Sequence, residues 1–283
     1  MNADPLAAVL IAGVAWLEGV RRLPADARAL HWRGRAWELA RPLSLAGDYR
    51  LVTWSVALWP SVALQSPEAR PAAEVRRGAA RLRVRRRRVS LALGALRAAC
   101  AMLLALLVLG IPTAIGRWRT WGLLGALAGA LLLSALVALI VVIALRRIAV
   151  PWGASLRAAA PMLWPFSALR GAETVLAHAT RGVPDAAVMR ELVGEARLLE
   201  ACRRELYDVR HGRAPAPDAL VRAEALAAAL PPATVVEYLD AAPRGWGPAE
   251  GAYCPRCAAH YVAGAAACAE CDGAVALRLA AAR

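Results

Sequence analysis

The sequence predicts an all-α membrane protein: a transmembrane helical hairpin, an N-terminal anchor helix, cytosolic helices and a small C-terminal β element. Three observations carry this. Two long apolar runs occupy 89–111 and 121–145 and are joined by a short link. The basic residues crowd on one side of those runs, and four of the six cysteines stand in two C-x-x-C pairs near the C-terminus.

The chain has 283 residues, 59% of them hydrophobic, and a mean hydropathy of +0.45. That is more apolar than an ordinary soluble protein. All 35 basic residues are Arg, and Ala is very abundant. This pattern reads as coding bias, so Arg is not chosen here over Lys for its bidentate geometry.

Residues 1–22 are expected to form an N-terminal transmembrane anchor. Their apolar stretch, 5–20, follows Asp4 and ends at Arg21 and Arg22, the reverse of a secretory signal peptide. The stretch is short for a span and includes Glu18. Residues 23–88 read as a membrane-proximal basic region with Trp32, Trp37, Trp54 and Trp59. Within it, 51–64 is apolar, 14 residues long and interrupted by Pro60. It falls short of a crossing, and crossing would export an Arg-rich segment. An interfacial or re-entrant path with the Trp rings at headgroup level is expected, with a further span as the alternative. Residues 66–73 form a proline-containing linker.

Residues 89–147 form the hairpin. The first run contains Leu103, Leu104, Leu106, Leu107 and Val108 and one charge, Arg97, whereas the second contains none. A helix rises ~1.5 Å per residue and a bilayer core is ~30 Å thick, so roughly 20 apolar residues cross it. Both runs reach that length. The link, 112–120, is too short for a domain and forces the helices antiparallel. Gly122, Gly125 and Gly129 include a small-xxx-small spacing, which either admits a close helix neighbour or is Ala/Gly-rich filler. A hairpin buried in a soluble core is the rival, and the uncharged second run argues against it.

Charge sets the orientation. Arg76, Arg77, Arg81, Arg83, Arg85, Arg86, Arg87 and Arg88 precede the first run, and Arg146, Arg147 and Arg157 follow the second, against Arg117 and Arg119 in the link. The richer side is expected in the cytosol. This places the C-terminal region there, with the hairpin in a bacterial cytoplasmic membrane. The cluster from Arg76 to Arg88 is expected to attract anionic lipid headgroups at ~1 kcal/mol per residue near the surface. A net charge of +14 invites nucleic acid, but its concentration beside the apolar runs argues against that partner. Arg97, an intramembrane charge, is a functional-site candidate, although a long Arg also snorkels to the headgroups. Pairing of Arg97 with Glu18 is expected, since both fall in the inner half of the bilayer.

Residues 148–243 combine an interfacial segment with cytosolic helices. Pro151, Pro161 and Pro165 break 150–169 into short pieces, and Trp152 and Trp164 suit a path along the membrane surface. Pro184 and Asp185 start an amphipathic helix in which Val188, Leu192, Leu199, Cys202, Leu206 and Val209 recur at three- and four-residue steps. It ends near His211 and Gly212. Its charged face holds Arg190, Glu191, Arg197, Arg203 and Arg204. Shorter helices are expected over 217–230 and 233–239. Cys100, Cys202, His31, His178 and His211 read as packed or surface residues.

Residues 244–283 hold the cysteine tail, with CPRCAAHYVAGAAACAEC over 254–271. Ten residues separate the pair Cys254 and Cys257 from the pair Cys268 and Cys271. Each pair forms a knuckle turning two thiolates toward one point, and HYVAG supplies a strand and turn between them. Four sulfurs at tetrahedral corners suit one structural Zn²⁺, with Zn–S distances of ~2.3 Å. Disulfides are the alternative, disfavoured by a cytosolic location. A redox C-x-x-C would need one pair and a thioredoxin-like context. His260 is near enough to replace a ligand, though four thiolates leave no vacancy. So short a unit lacks a core, and metal would supply most of its folding free energy.

Over about 252–279 the tail resembles the short zinc-ribbon family, with Tyr253 before the first knuckle, Pro255 inside it and Gly273 after the second. Ala258 departs from the glycine common after the first knuckle. The resemblance implies knuckles on β-hairpins at the end of a longer protein, and it covers the tail alone.

The sequence carries no paired carboxylates in an active-site context, nucleophile–His motif or phosphate loop. A non-enzymatic scaffold or docking protein is therefore expected, with a protein partner at the cytosolic helices and ribbon. The alternative is a membrane enzyme or small-solute carrier using Glu18 and Arg97 with Glu38, Asp48 or Arg50. Nucleic-acid binding by the ribbon would rest on Arg256 and Tyr261 alone.

Overall fold

The computed structural model describes residues 6, 9–14, 20–24, 28–33, 36–39, 43–44, 49–53, 61–64, 70–117, 119–210, 226–230, 250–257, 259–269, 271 and 277–278. The chain divides into two units, Met1–Gln65 with Arg81–Gly182, and Ser66–Ala80 with Val183–Arg283. Most of the described residues are helical.

The first unit is built on the hairpin. Helix α1 (Ala72–Ala105) continues through a π-helical turn, Leu106–Gly110, into α2 (Ile111–Arg117), and α3 (Arg119–Arg147) returns. Pro112 has no N–H to give the Val108 carbonyl, and the wider turn, closed by the Ile111 N–H on Leu106 O, absorbs the break. Helix therefore occupies most of 112–120, where the sequence predicts a link. Among the described residues, Ala72–Ile115 and Trp121–Arg147 are long and apolar enough to cross a membrane.

The two arms meet through residues at three- and four-residue steps. Leu96, Cys100, Leu103 and Leu107 share a core with Val137, Val141, Ala144 and Leu145. Gly129 faces Leu106, whose Cδ2 stands 3.3 Å from where a Cβ would be, while Gly125 has open space around it. The opposite faces are equally apolar and exposed, at Leu91, Met102 and Leu109 on one arm and Trp121, Leu131, Leu132 and Leu139 on the other.

Beyond α3 the chain turns back. Ala149 takes a left-handed φ of 65°. The Ala149 N–H bonds to Arg146 O at 3.0 Å and the Val150 N–H to Leu145 O at 3.1 Å, a Schellman cap. Helix α4 (Trp152–Ala159), a 3-10 turn (Ala160–Leu163), α5 (Pro165–Ala168) and α6 (Gly171–Thr180) follow. Pro151, Pro161 and Pro165 start the first three pieces, where a missing N–H costs nothing. The sequence predicts a surface path for 150–169. In the structure this segment packs on the hairpin, adding Ala159, Met162, Ala168 and Leu169 to its core. Gly171 makes the approach possible, since a Cβ there would lie 2.8 Å from Val137 Cγ1 and 3.2 Å from Leu96 Cδ2.

At the N-terminus Leu6 and 9–14 are helical, with Leu6, Val9 and Leu10 exposed and Ile11 packed on the hairpin core. Val20 already begins a strand, so the expected anchor helix stops short of Arg22. Glu18, and with it the expected Glu18–Arg97 pair, lies outside the described residues.

Residues 20–64 correct the all-α expectation. They contain β1 (Val20–Pro24), β2 (Arg28–Arg33), β3 (Ala36–Leu39), β4 (Leu43–Ser44), β5 (Tyr49–Thr53) and β6 (Ser61–Leu64). These form two antiparallel sheets, ordered β1-β5-β4 and β3-β2-β6. Leu30 pairs with Leu39 on one side and Val62 on the other, and Leu30, Val62 and Leu64 are buried. Part of 51–64 is thus strand, and 54–60 lie outside the described residues. An open sheet leaves edge N–H and C=O groups that hydrocarbon cannot satisfy, so these strands are not a further span.

In the second unit, 72–80 of α1 packs on α7 (Asp185–Val193), with Gly78 against Pro184 and Ala187. Gly194, at φ 93°, separates α7 from α8 (Glu195–Arg210), dividing the single helix that the periodicity predicts. Val188, Leu192, Leu199 and Cys202 are buried as that stripe requires. The Leu206 and Val209 side chains, residues 217–225 and residues 233–239 lie outside the described residues. In the tail, β7 (Glu250–Tyr253) pairs antiparallel with β8 (His260–Val262) and β9 (Leu277–Arg278).

Candidate metal centre

Strand pairing brings the two cysteine loops together. Cys254 follows β7 directly, and its N–H bonds to Ala259 O at 2.9 Å, closing the first loop at the sheet end. After β8, Gly264 at φ 103° turns the chain toward Cys268 and Cys271. The sulfurs of Cys254, Cys257, Cys268 and Cys271 all lie within 4.8 Å of one another, and all four residues are buried. Cys257 Sγ and Cys268 Sγ are 3.7 Å apart. A tetrahedral ion with metal–sulfur bonds of ~2.3 Å sets its ligands about 3.8 Å apart, so the group is of the right size to hold one. A disulfide needs ~2.05 Å, and all six cysteines are free thiols. Four sulfurs around one ion close its coordination, leaving no position for substrate or activated water.

The surroundings set the protonation of the four-sulfur group. Burial pushes the Cys257 and Cys271 thiols up, so without an ion their protons stay on. The Tyr261 hydroxyl is pushed up to about 12, chiefly by its hydrogen bond to Cys268 Sγ at 3.0 Å. A cation held by the four sulfurs would reverse this balance toward thiolate, and the Tyr261 O–H would then donate to the charged sulfur of Cys268.

A clamp from α8 holds the first loop. The charge pattern places Arg203 on the solvent face, but it is only 4% exposed. Its Nε donates to Pro255 O at 2.8 Å, and its guanidinium lies 5.6 Å from the Tyr253 ring centre. Tyr207 packs with the four cysteines. Arg256 Nε and Nη2 donate to Asp208 Oδ1 and Oδ2 at 2.7 and 2.8 Å, and this pairing raises the Arg256 pKa. Arg203 and Tyr207, four residues apart, share one helix face, a spacing that sequence reading alone could have isolated. His260 is not among the residues of the four-sulfur group, and its Nδ1 is 2.7 Å from Glu250 Oε2. The two residues that nucleic-acid binding needed, Arg256 and Tyr261, are engaged by Asp208 and Cys268.

Glu18 and Asp48 lie outside the described residues, as do the side chains of Glu38 and Arg50. Arg76, Arg77, Arg81, Arg83, Arg87 and Arg88 are exposed on α1, and Arg86 and Arg97 are half-buried. Arg85 Nη1 donates to the Ala179 and Arg181 carbonyls, each at 3.1 Å, which caps the negative end of α6. Glu173, which the sequence did not single out, is 1% exposed and 3.3 Å from Arg170 Nε. Comparison of the chain with family models, curated proteins and solved structures gives no match.

Proposed function

We propose that this chain is an integral membrane protein that presents a zinc-ribbon docking module in the cytosol and catalyses no reaction. The hairpin's exposed apolar faces support the bilayer, because a helix apolar all round belongs in a core or in lipid. Its arginines support a cytosolic tail, and the exposed ones from Arg76 to Arg88 suit anionic headgroups. Four thiolates in a tetrahedron favour Zn²⁺ over harder ions, and the zinc-ribbon resemblance points the same way.

The observation that carries docking is the clamp of Arg203 and Arg256 on the first loop. It makes the ribbon and α8 one rigid surface, on which Val262 of β8 stays 64% exposed. A closed ion holds that shape rather than reacting. Two measurements test the reading. The full chain should stay in the membrane pellet after alkaline carbonate, and its release to the supernatant would overturn the anchor. A photo-crosslinking residue at Val262 should give a discrete protein adduct in cells, lost in Cys271→Ser. No adduct, or one indifferent to that substitution, would overturn the docking role.

A further inference from the structure

Within the first unit, the chain from Val150 to Arg181 enters and leaves on the same side of the hairpin. Val150 is tied to the end of α3, its N–H on Leu145 O and its carbonyl accepting from Arg146 Nη1 at 2.7 Å. Arg181 is tied to Arg85 of α1. Between these ends the chain runs far along the arms. The Cys100 thiol donates to Ala168 O at 3.4 Å, and Gly171 lies against Val137 and Leu96. At ~1.5 Å per residue, Cys100 is about 18 Å past Arg88 along α1 and Val137 about 14 Å before Arg146 along α3. The ends therefore sit at the arginine-marked edge, and the bend lies about halfway through a ~30 Å hydrocarbon core.

The outward side of this segment continues the hairpin's apolar belt, with Trp152, Leu156, Leu163 and Trp164 all exposed. At the edge, the Arg146 guanidinium lies 4.8 Å from the Trp152 ring centre, a pairing suited to the headgroup level. The polar groups of Ser155, Glu173, Thr174 and Thr180 have partners inside the protein. Glu173 is buried against Arg170, and the prolines at the bend carry no N–H to satisfy. Arg157, exposed beside Leu156, is long enough to return its charge to the headgroups.

We infer that residues 150–181 form a re-entrant helical hairpin set in the cytosolic leaflet, with Leu156, Leu163 and Trp164 against phospholipid acyl chains. The inference rests on the bilayer reading above and adds a depth and a lipid contact that reading does not assign.

The test uses the full chain in phosphatidylcholine–phosphatidylglycerol vesicles. A fluorescent amino acid is placed at Leu163, at Leu139 on the outer face of α3, or at Trp152. Lipids brominated at mid-chain should quench the Leu163 and Leu139 probes, lipids brominated near the headgroup should quench the Trp152 probe, and aqueous iodide should leave the Leu163 signal intact. Iodide quenching at Leu163 with mid-chain quenching kept at Leu139 would overturn the re-entrant path in favour of a surface one, leaving the spans standing. Iodide quenching at both would overturn the bilayer reading and this inference together. A probe at Leu156 repeats the measurement where the Leu163 variant does not fold.

Discussion

Arg256, inside the first cysteine loop, gives two N–H groups to the two carboxylate oxygens of Asp208 on α8, at 2.7 and 2.8 Å. The fork sets direction as well as distance, so the loop that carries two ligands has one orientation on the helix.

Arg256→Ala and Asp208→Ala are each expected to weaken metal retention by the tail, and the double variant to do little worse than either. A double-mutant cycle on urea unfolding of the metal-loaded protein should give a coupling of about 1–2 kcal/mol. Additive losses would leave the pair no role in holding the loop.

Purified under reducing conditions, the chain is expected to carry one divalent ion, removable by chelator with loss of amide protection in β7 and β8. The sign of the pH dependence follows from the thiols. Burial raises Cys257 and Cys271 in the metal-free centre, so protons occupy those sulfurs at neutral pH and must leave when an ion binds. Affinity therefore rises with pH and falls on acidification, by up to about tenfold per pH unit for each proton released. Thiolate-to-cobalt absorption of the cobalt-loaded protein, followed from mildly alkaline to mildly acid pH, reads this slope. A flat titration would contradict it.

Ala149 holds the left-handed position of a Schellman cap that glycine occupies without strain. Ala149→Gly is expected to stabilise the first unit by about 0.5–1 kcal/mol, seen as a higher thermal midpoint in detergent.

Gly171 leaves no room for a methyl group between Val137, Leu96 and Val141. Gly171→Ala should cost about 1–3 kcal/mol by overpacking. Adding Val137→Ala should return part of that loss, because the nearest atom, Val137 Cγ1 at 2.8 Å, is removed. Thermal unfolding of the three variants checks the order.

What was legible in the sequence was local. Two runs of apolar residues match a bilayer's thickness whatever surrounds them, and Cys254, Cys257, Cys268 and Cys271 form two tight loops by spacing alone. The start of a helix at Asp185 followed from the proline before it. The strands of 20–64 were hidden because their arginines and tryptophans also read as a membrane-side pattern. Yet β2 and β3 alternate about a two-residue connection containing Gly34, and Arg33 pairs with Ala36, which is a hairpin signal.

By itself, then, the sequence determined which stretches are apolar enough for lipid and which four sulfurs can share an ion, because length, composition and short spacings act within a few turns of chain. Only the tertiary structure decided that 150–181 folds back along the hairpin, that Arg203 is buried while neighbouring Arg204 pairs with Glu200 at the surface, and that Leu30 meets Val62. Each of those joins residues distant in sequence. Such a contact forms when the geometry of both partners, here the absent Cβ of Gly171 or the fork of Arg256, lets them close without leaving a buried polar group unmet.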